Sequence, residues 1–212
     1  MSRPCRALID LDALRHNYRL ACELAPNSQA IAVVKANAYG HGSVAAARAL
    51  EPLAPALGVA CIEEALELRA AGITQPILLL EGIFSADEVN VAAAENFWLM
   101  VENLEQVQHI ISAKLANPVH CWLKIDTGMH RLGLLPEQVD DALAILKASD
   151  NVQQEIIVAS HFSSADEINN PSTEAQIECF DTVLANCDQS KGLAQSLSNS
   201  AAVLAHPKAH RQ

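Results

Sequence analysis

Seven short apolar runs, separated by stretches with helical periodicity, constrain the fold of this chain more than any other feature. The runs are continuously apolar rather than alternating, which is typical of strands buried on both faces. Regular alternation of such strands with helices predicts an α/β protein built from parallel βαβ units. Seven strands in succession favour a barrel over an open doubly wound sheet, although a closed (β/α)8 barrel needs eight. The predicted strands cover residues 30–34, 57–60, 76–80, 97–101, 119–125, 156–159 and 193–198.

Capping residues between the runs predict where the helices begin and end. Asp10 predicts the start of a helix over residues 11–25, and Asn103 opens another helix. Thr173 and Gln176 have the spacing of a capping box, which predicts a helix through about residue 186. Because no linker interrupts the series, we expect one domain over residues 1–212. Four further helices are predicted: over 43–50, around Glu63 and Glu64 before Gly72, from Ser85 to about 96, and from Pro136 to about 149.

The composition argues against several classes of function. A formal net charge of -11 argues against nucleic-acid binding, which needs a basic surface. No segment approaches the roughly 20 apolar residues of a membrane span, and the N-terminus does not resemble a signal peptide. We therefore expect a cytoplasmic protein without membrane contacts. The histidines include no HExxH-type pair and the cysteines no CxxC pair, so we expect reduced thiols and no metal. The cysteines are Cys5, Cys22, Cys61, Cys121, Cys179 and Cys187.

The residues that directly follow the first apolar run are the first candidates for chemistry, because reactive groups in parallel barrels lie at the carboxyl ends of strands. Partial desolvation of Lys35 there would lower the pKa of its amine, as attack on an aldehyde to form a Schiff base requires. Gly40 and Gly42 let the backbone approach a ligand, and Tyr39 offers a hydroxyl donor. The alternative is a surface lysine in a turn, which this local pattern alone does not exclude.

Polar clusters also follow the fifth, sixth and seventh runs. Arg131 lies in a loop with two glycines that can present its guanidinium to an oxygen anion. His161 follows the sixth run, and the segment from Ser198 begins a helix whose N-terminus suits a phosphate group. Each cluster alone also fits a turn, a core histidine or a helix cap. Four clusters at four strand ends favour a ligand site without naming the ligand.

Three of these segments resemble the signatures of one known family, the alanine racemases. The cofactor-lysine signature of that family is similar to AVVKANAYGHG at positions 32–42, and its second and third signatures are similar to KIDTGMHRLG at 124–133 and SNSA at 198–201. IDL at 9–11 and HN at 16–17 resemble the family's opening segment. The resemblance spans essentially the whole chain. It implies a TIM-like barrel that binds pyridoxal 5′-phosphate and interconverts L-alanine and D-alanine, an isomerase reaction that supplies D-alanine for peptidoglycan.

The resemblance further implies roles for the residues at the strand ends. Lys35 would hold the cofactor as an aldimine and act as one of two catalytic acid/base groups at the substrate Cα. Tyr39 and Ser200 would bind the cofactor phosphate, and Arg131 would donate a hydrogen bond to the phenolic oxygen of the ring.

Three further residues would support the cofactor from beside it, again by resemblance. Lys124 matches a position that is carbamylated in some members and orients the arginine. His161 would lie beside the pyridine ring, with Asn199 close by.

The sequence departs from the family pattern at its end. Family members continue with an eighth strand and a mostly β domain, which carries the opposing catalytic tyrosine. The resemblance therefore implies a barrel domain over 1–212 without its last strand and without that β domain. Without that tyrosine the site has one acid/base group fewer, and we expect turnover to be lower by about 10²–10⁴-fold.

Open barrel edges predict association between chains, most simply as a homodimer. Two alternatives to an active racemase remain. One is a carrier or regulatory barrel that holds pyridoxal phosphate without efficient catalysis. The other is a barrel that folds without binding the cofactor.

Overall fold

A parallel sheet of seven strands forms the centre of the computed structural model, which describes Pro4 and residues 6–211. The spatial order of the strands is their order along the chain, and every neighbouring pair is parallel. Each connection is therefore a crossover, as the alternation of apolar runs predicts. The strands are β1 (Ala32–Val33), β2 (Leu57–Val59), β3 (Ile77–Leu79), β4 (Phe97–Val101), β5 (Cys121–Lys124), β6 (Ile157–Ala159) and β7 (Gln195–Ser196).

The helices between the strands confirm two of the predicted caps. Asp10 Oδ1 accepts the N–H groups of Asp12 and Ala13 at 2.9 and 3.0 Å, and Asn103 Oδ1 accepts the N–H of Gln106 at 2.8 Å. These carboxylate and amide oxygens satisfy backbone donors that have no partner inside the helix. The helices are α1 (Leu11–Leu24), α2 (Lys35–Tyr39), α3 (Ser43–Leu50), α4 (Ile62–Ala70), α5 (Ala86–Glu95), α6 (Leu104–Ser112), α7 (Val139–Lys147), α8 (Ser172–Ala185) and α9 (Ser200–Ala205), with 3₁₀ turns at Pro136–Gln138, Asp188–Ser190 and Pro207–Ala209.

Two separate apolar layers lie on opposite faces of the sheet. The larger layer packs the sheet against the helices and contains strand residues such as Leu57, Ile77 and Leu99. Because successive side chains of a strand point to opposite faces, the intervening residues form the second layer on the concave face. That layer consists of buried Leu78, Met100, Trp122 and Ala159, with Ile31, Leu80, Trp98 and Ile157 packed against them. The unbroken order from β1 to β7, with an apolar layer on the concave face, confirms a barrel-like sheet, here a curled half-barrel.

The edges of the sheet are joined through the segment that follows α9. Within the described residues, β1 pairs only with β2 and β7 only with β6. The Ser198 hydroxyl donates to the Ala209 carbonyl at 2.9 Å, and the Ser28 hydroxyl donates to the Arg211 carbonyl at 2.5 Å. The segment after β7 therefore reaches the loop before β1, where the predicted barrel has no eighth strand among the described residues.

The predicted capping box at the start of α8 is wrong. Pro171 already has helical backbone angles (φ -71°, ψ -8°), so the helix begins before Thr173 can act as its N-cap. Thr173 is fully buried inside the helix. The Gln176 side chain instead binds the loops around His161. The first and last strands are also shorter than the predicted 30–34 and 193–198.

Three general sequence expectations can be compared with the described residues. None of their helices is both long and apolar enough to cross a membrane. The cysteines among them are free thiols, and Cys5 lies outside the described residues. The described part of the chain has no group of three or more His, Cys, Asp or Glu side chains placed to hold a metal ion.

Candidate functional site

The carboxyl ends of four strands carry the ionisable residues of the candidate site. Each of these residues lies two positions after a residue of the concave face, so the strand alternation directs it towards the same face. Lys124 lies within β5, and the register places Leu123 between Val101 and Val158. Lys124 therefore lies between the ends of β4 and β6. The four residues are Lys35, Glu102, Lys124 and His161.

Lys35 begins a left-handed turn. Ala36, Asn37, Ala38 and Tyr39 all have positive φ, between 50° and 55°. A left-handed conformation costs roughly 1–2 kcal/mol per L-residue. Asn37 Oδ1 accepts the Ser43 N–H at 2.8 Å, and Gly40 ends the turn with φ 88°. The sequence does not indicate this conformation, since alanine gives no signal for left-handed backbone.

Glu102 and Lys124 form a buried ion pair. Their Oε1 and Nζ atoms lie 2.8 Å apart, and the side chains are 2% and 10% exposed. Burial raises the pKa of the Glu102 carboxyl, while the neighbouring cations Lys124 and Arg131 act in the opposite direction. Gln106 accepts the Glu102 N–H at 2.7 Å and donates to the Glu81 carbonyl, which fixes the end of β4. Sequence reasoning missed Glu102, although its position directly after an apolar run was the available signal.

The pKa of His161 indicates that Lys35, Lys124 and Arg131 lie near one another. The pKa of His161 is lowered to about 4, first by burial and then by the positive charges of Lys124, Arg131 and Lys35 in that order. Charges that shift a common neighbour lie close to it. The imidazole is therefore neutral at pH 7 and lies near three cations that come from the ends of two strands, β1 and β5.

A hydrogen-bond network joins the loops after β5 and β6. The Thr127 and Ser160 hydroxyl oxygens lie 2.7 Å apart, and Ser160 also donates to the Ile125 carbonyl at 2.9 Å. Gln176 of α8 donates to the His161 carbonyl at 3.0 Å and to Thr127 Oγ1 at 3.3 Å. The network fixes the backbone of His161, a role for Gln176 that no local sequence pattern indicates.

The loop that carries Arg131 is shaped by Asp126 and a glycine. Asp126 Oδ1 accepts the N–H groups of Gly128 and His130, both at 3.0 Å. Gly133 has φ 128°, and a Cβ atom there would lie 2.7 Å from the Asp126 nitrogen. Only glycine fits this position without moving backbone. The loop leaves the Arg131 side chain exposed.

The other predicted site residues are less tightly placed. Tyr39 is 63% exposed, and Ser200 is exposed at the start of α9. Asn199 uses its side-chain oxygen to cap α9, accepting the Ala202 N–H at 3.0 Å. No side-chain hydrogen bond within the described residues joins these three to Lys35, Lys124 or Arg131. Their roles towards a ligand stay predictions.

The lowered pKa of His161 predicts an acid-sensitive stability. As pH falls from about 6.5, the unfolded chain binds a proton that the folded imidazole does not accept until about pH 4. We expect this group to lower the free energy of unfolding by up to about 2 kcal/mol across that window and no further below it, because its partial exposure to solvent weakens the effect. His161→Gln should lack this component. Urea unfolding at a series of pH values measures it, with exposed His16→Gln as the control. Parallel pH curves for the chain and His161→Gln would contradict the assignment.

Comparison with known proteins gives consistent similarities. A model of the family described as "Alanine racemase, N-terminal domain" matches residues 9–212. The chain is 52% identical over 206 residues to the catabolic alanine racemase of Pseudomonas aeruginosa, covering 97% of this chain and 56% of that protein. It is 51% identical to an alanine racemase of Pseudomonas entomophila, with the same coverage. The crystal structure of the biosynthetic alanine racemase from Pseudomonas aeruginosa superposes with a TM-score of 0.89 at 46% identity, over 96% of this chain and 56% of that one. The chain thus spans about 56% of the length of these relatives.

Proposed function

This chain belongs to the alanine racemase family, and from that premise we propose that it binds pyridoxal 5′-phosphate and serves the interconversion of L-alanine and D-alanine. The observation that carries the proposal is the cluster of Lys35, Lys124 and Arg131 around a neutral His161. The reaction would supply D-alanine for peptidoglycan precursors. Free cysteines in the described part of the chain support a cytoplasmic location.

The charges of the site fit a phosphorylated anionic cofactor. Lys35, Lys124 and Arg131 contribute three positive charges, and Glu102 is the buried carboxylate that pairs with one of them. The surplus of positive charge would be balanced by an anion. We propose that Lys35 binds the cofactor covalently, that Tyr39 and Ser200 hold its phosphate, and that Arg131, His161 and Asn199 contact its ring. Lys124 would act behind Arg131.

The chemistry requires exchange of the proton on the substrate Cα. Pyridoxal phosphate, when bound, lowers the barrier to loss of that proton by delocalising negative charge. The Lys35 amine is the group of this chain that would take up and return the proton on one face. Arg131 and Lys124 would favour negative charge at the mouth of the half-barrel, and the half-buried, neutral His161 would add no further positive charge there.

The tyrosines of this chain favour a second candidate function, a barrel that holds the cofactor without efficient catalysis. The Tyr18 hydroxyl donates to the Ala30 carbonyl at 2.6 Å, and burial raises its pKa. Tyr39, the other tyrosine, is exposed and is assigned to the phosphate. Racemisation needs proton transfer on both faces, so the second group would have to come from elsewhere in the assembly.

One experiment separates the two functions. The purified chain is mixed with pyridoxal phosphate and L-alanine, and the absorbance of lysine-bound cofactor and the formation of D-alanine are followed together. Absorbance with D-alanine supports the racemase. Absorbance without D-alanine supports the cofactor-holding barrel, and no absorbance contradicts both.

We also propose that the chain self-associates as a homodimer. The support is the pair of sheet edges, since β1 and β7 each have a single neighbour within the described residues. Sedimentation velocity over a range of concentrations measures the association. A single monomeric species at every concentration would contradict it.

A further inference from the structure

We propose that Glu64 is a positioning residue for Lys35, because its carboxylate holds the left-handed turn that begins at the lysine. The proposal rests on the proposed function, in which Lys35 binds the cofactor. Glu64 lies in the first turn of α4, where the sequence pattern alone predicts only a favourable charge at a helix start.

The carboxylate of Glu64 joins the ends of two strands. Its Oε1 atom accepts the N–H of Ala36 at 2.7 Å, and its Oε2 atom accepts the N–H of Ala60 at 2.8 Å. Ala36 directly follows Lys35, and Ala60 directly follows β2. One side chain thus fixes the backbone next to the lysine relative to the neighbouring strand.

The left-handed turn depends on this contact at its first amide. Further along, the amides are bound within the segment: the Ala38 N–H donates to the Val34 carbonyl, and the Gly40 N–H donates to the Ala36 carbonyl. The Ala36 N–H donates to Glu64 instead. Backbone in a sparsely populated conformation persists only when its surroundings over-determine it. Loss of the carboxylate would let residue 36 relax and would move Lys35 with it.

A matched control lies next to Glu64 in the chain. Glu63 is also in the first turn of α4, but its side chain is exposed, and it is Glu64 that accepts the hydrogen bonds from Ala36 and Ala60. Glu63→Gln therefore removes the same charge from the start of the helix without touching the turn of Lys35. Any difference between the variants at positions 63 and 64 reports the contacts to Ala36 and Ala60.

The test compares Glu63→Gln, Glu64→Gln and Glu64→Ala by two measurements. Glu64→Gln keeps one acceptor oxygen and Glu64→Ala keeps none. Relative to Glu63→Gln, we expect amide hydrogen exchange to be at least ~10-fold faster at both Ala36 and Ala60 in Glu64→Ala, and at one of the two in Glu64→Gln. The rate at which the absorbance of lysine-bound cofactor appears should fall by about 10-fold in Glu64→Gln and about 100-fold in Glu64→Ala, because catalytic geometry is sensitive to displacements near 1 Å. Circular dichroism should stay unchanged in all three variants. If Glu64→Ala loses its helical signal, the comparison uses the near-isosteric Glu64→Gln instead.

Two results would overturn the proposal. Exchange at both Ala36 and Ala60 that is equal in Glu63→Gln and in the Glu64 variants would show that the contact does not hold the turn. Faster exchange with an unchanged rate of cofactor attachment would show that Lys35 does not depend on it. If the unaltered chain itself attaches no cofactor, the proposed function fails separately. The positioning role is then decided by whether Glu64→Gln changes methylation of Lys35 by formaldehyde and cyanoborohydride, with no change overturning it.

Discussion

Lys35→Ala is expected to abolish the visible absorbance that the chain acquires on incubation with pyridoxal phosphate. Covalent attachment needs an amine at the mouth of the half-barrel, and the variant removes it. The nearby Lys124 cannot substitute, because its buried Nζ atom donates a hydrogen bond to the Glu102 carboxylate 2.8 Å away. Absorbance spectra of the two proteins at equal concentration measure the effect. Borohydride reduction followed by peptide mass analysis should place the cofactor on Lys35 in the unaltered chain.

Lys114→Ala is the control for this experiment, because that lysine is exposed and lies in the loop between α6 and β5. It should keep the full absorbance. An absorbance retained by Lys35→Ala, or a reduced cofactor found on another lysine, would remove Lys35 from its proposed role. Unchanged circular dichroism in the variant separates a lost attachment point from a lost fold.

Glu102→Gln is expected to cause the largest loss of stability of any conservative change in the site. The substitution leaves the Lys124 ammonium buried without its opposite charge, which typically costs about 3–5 kcal/mol. Urea unfolding at pH 7 measures the change. The double variant Glu102→Gln with Lys124→Met should recover part of the loss, because it removes the unpaired charge.

The exposed pair between Glu174 and Lys208 provides a matched control. Its atoms lie 2.6 Å apart, but both side chains face solvent. Glu174→Gln should therefore change the free energy of unfolding far less than Glu102→Gln, because water screens an exposed pair. Equal effects at the two positions would contradict the importance of burial for the pair at the site.

The sequence predicts the parts of this site that depend on strand periodicity. Lys35, Lys124 and His161 lie at the ends of apolar runs, and the alternation of side chains directs them to one face. Glu102 obeys the same rule. Its position also allows a second interpretation, because acidic residues are favoured near the start of a helix.

Features that depend on distant contacts could not be predicted in the same way. The left-handed backbone from Ala36 to Tyr39 contradicts the ordinary preference of alanine and is held partly by Glu64, 28 positions further along the chain. Gln176 contacts the His161 carbonyl from α8, and the local spacing with Thr173 suggested a cap instead. In both cases tertiary contacts override the local propensity.

The order of the strands also has a consequence for biosynthesis. Because the spatial order of β1 to β7 is the order along the chain, each new strand can add to a partner that has already left the ribosome. The sheet can therefore grow one strand–helix unit at a time, without waiting for a distant segment to close a loop. The candidate site forms differently, since Lys35 follows the first strand and His161 the sixth. On a nascent chain the lysine emerges early, and the complete site around it forms only once β6 has been added.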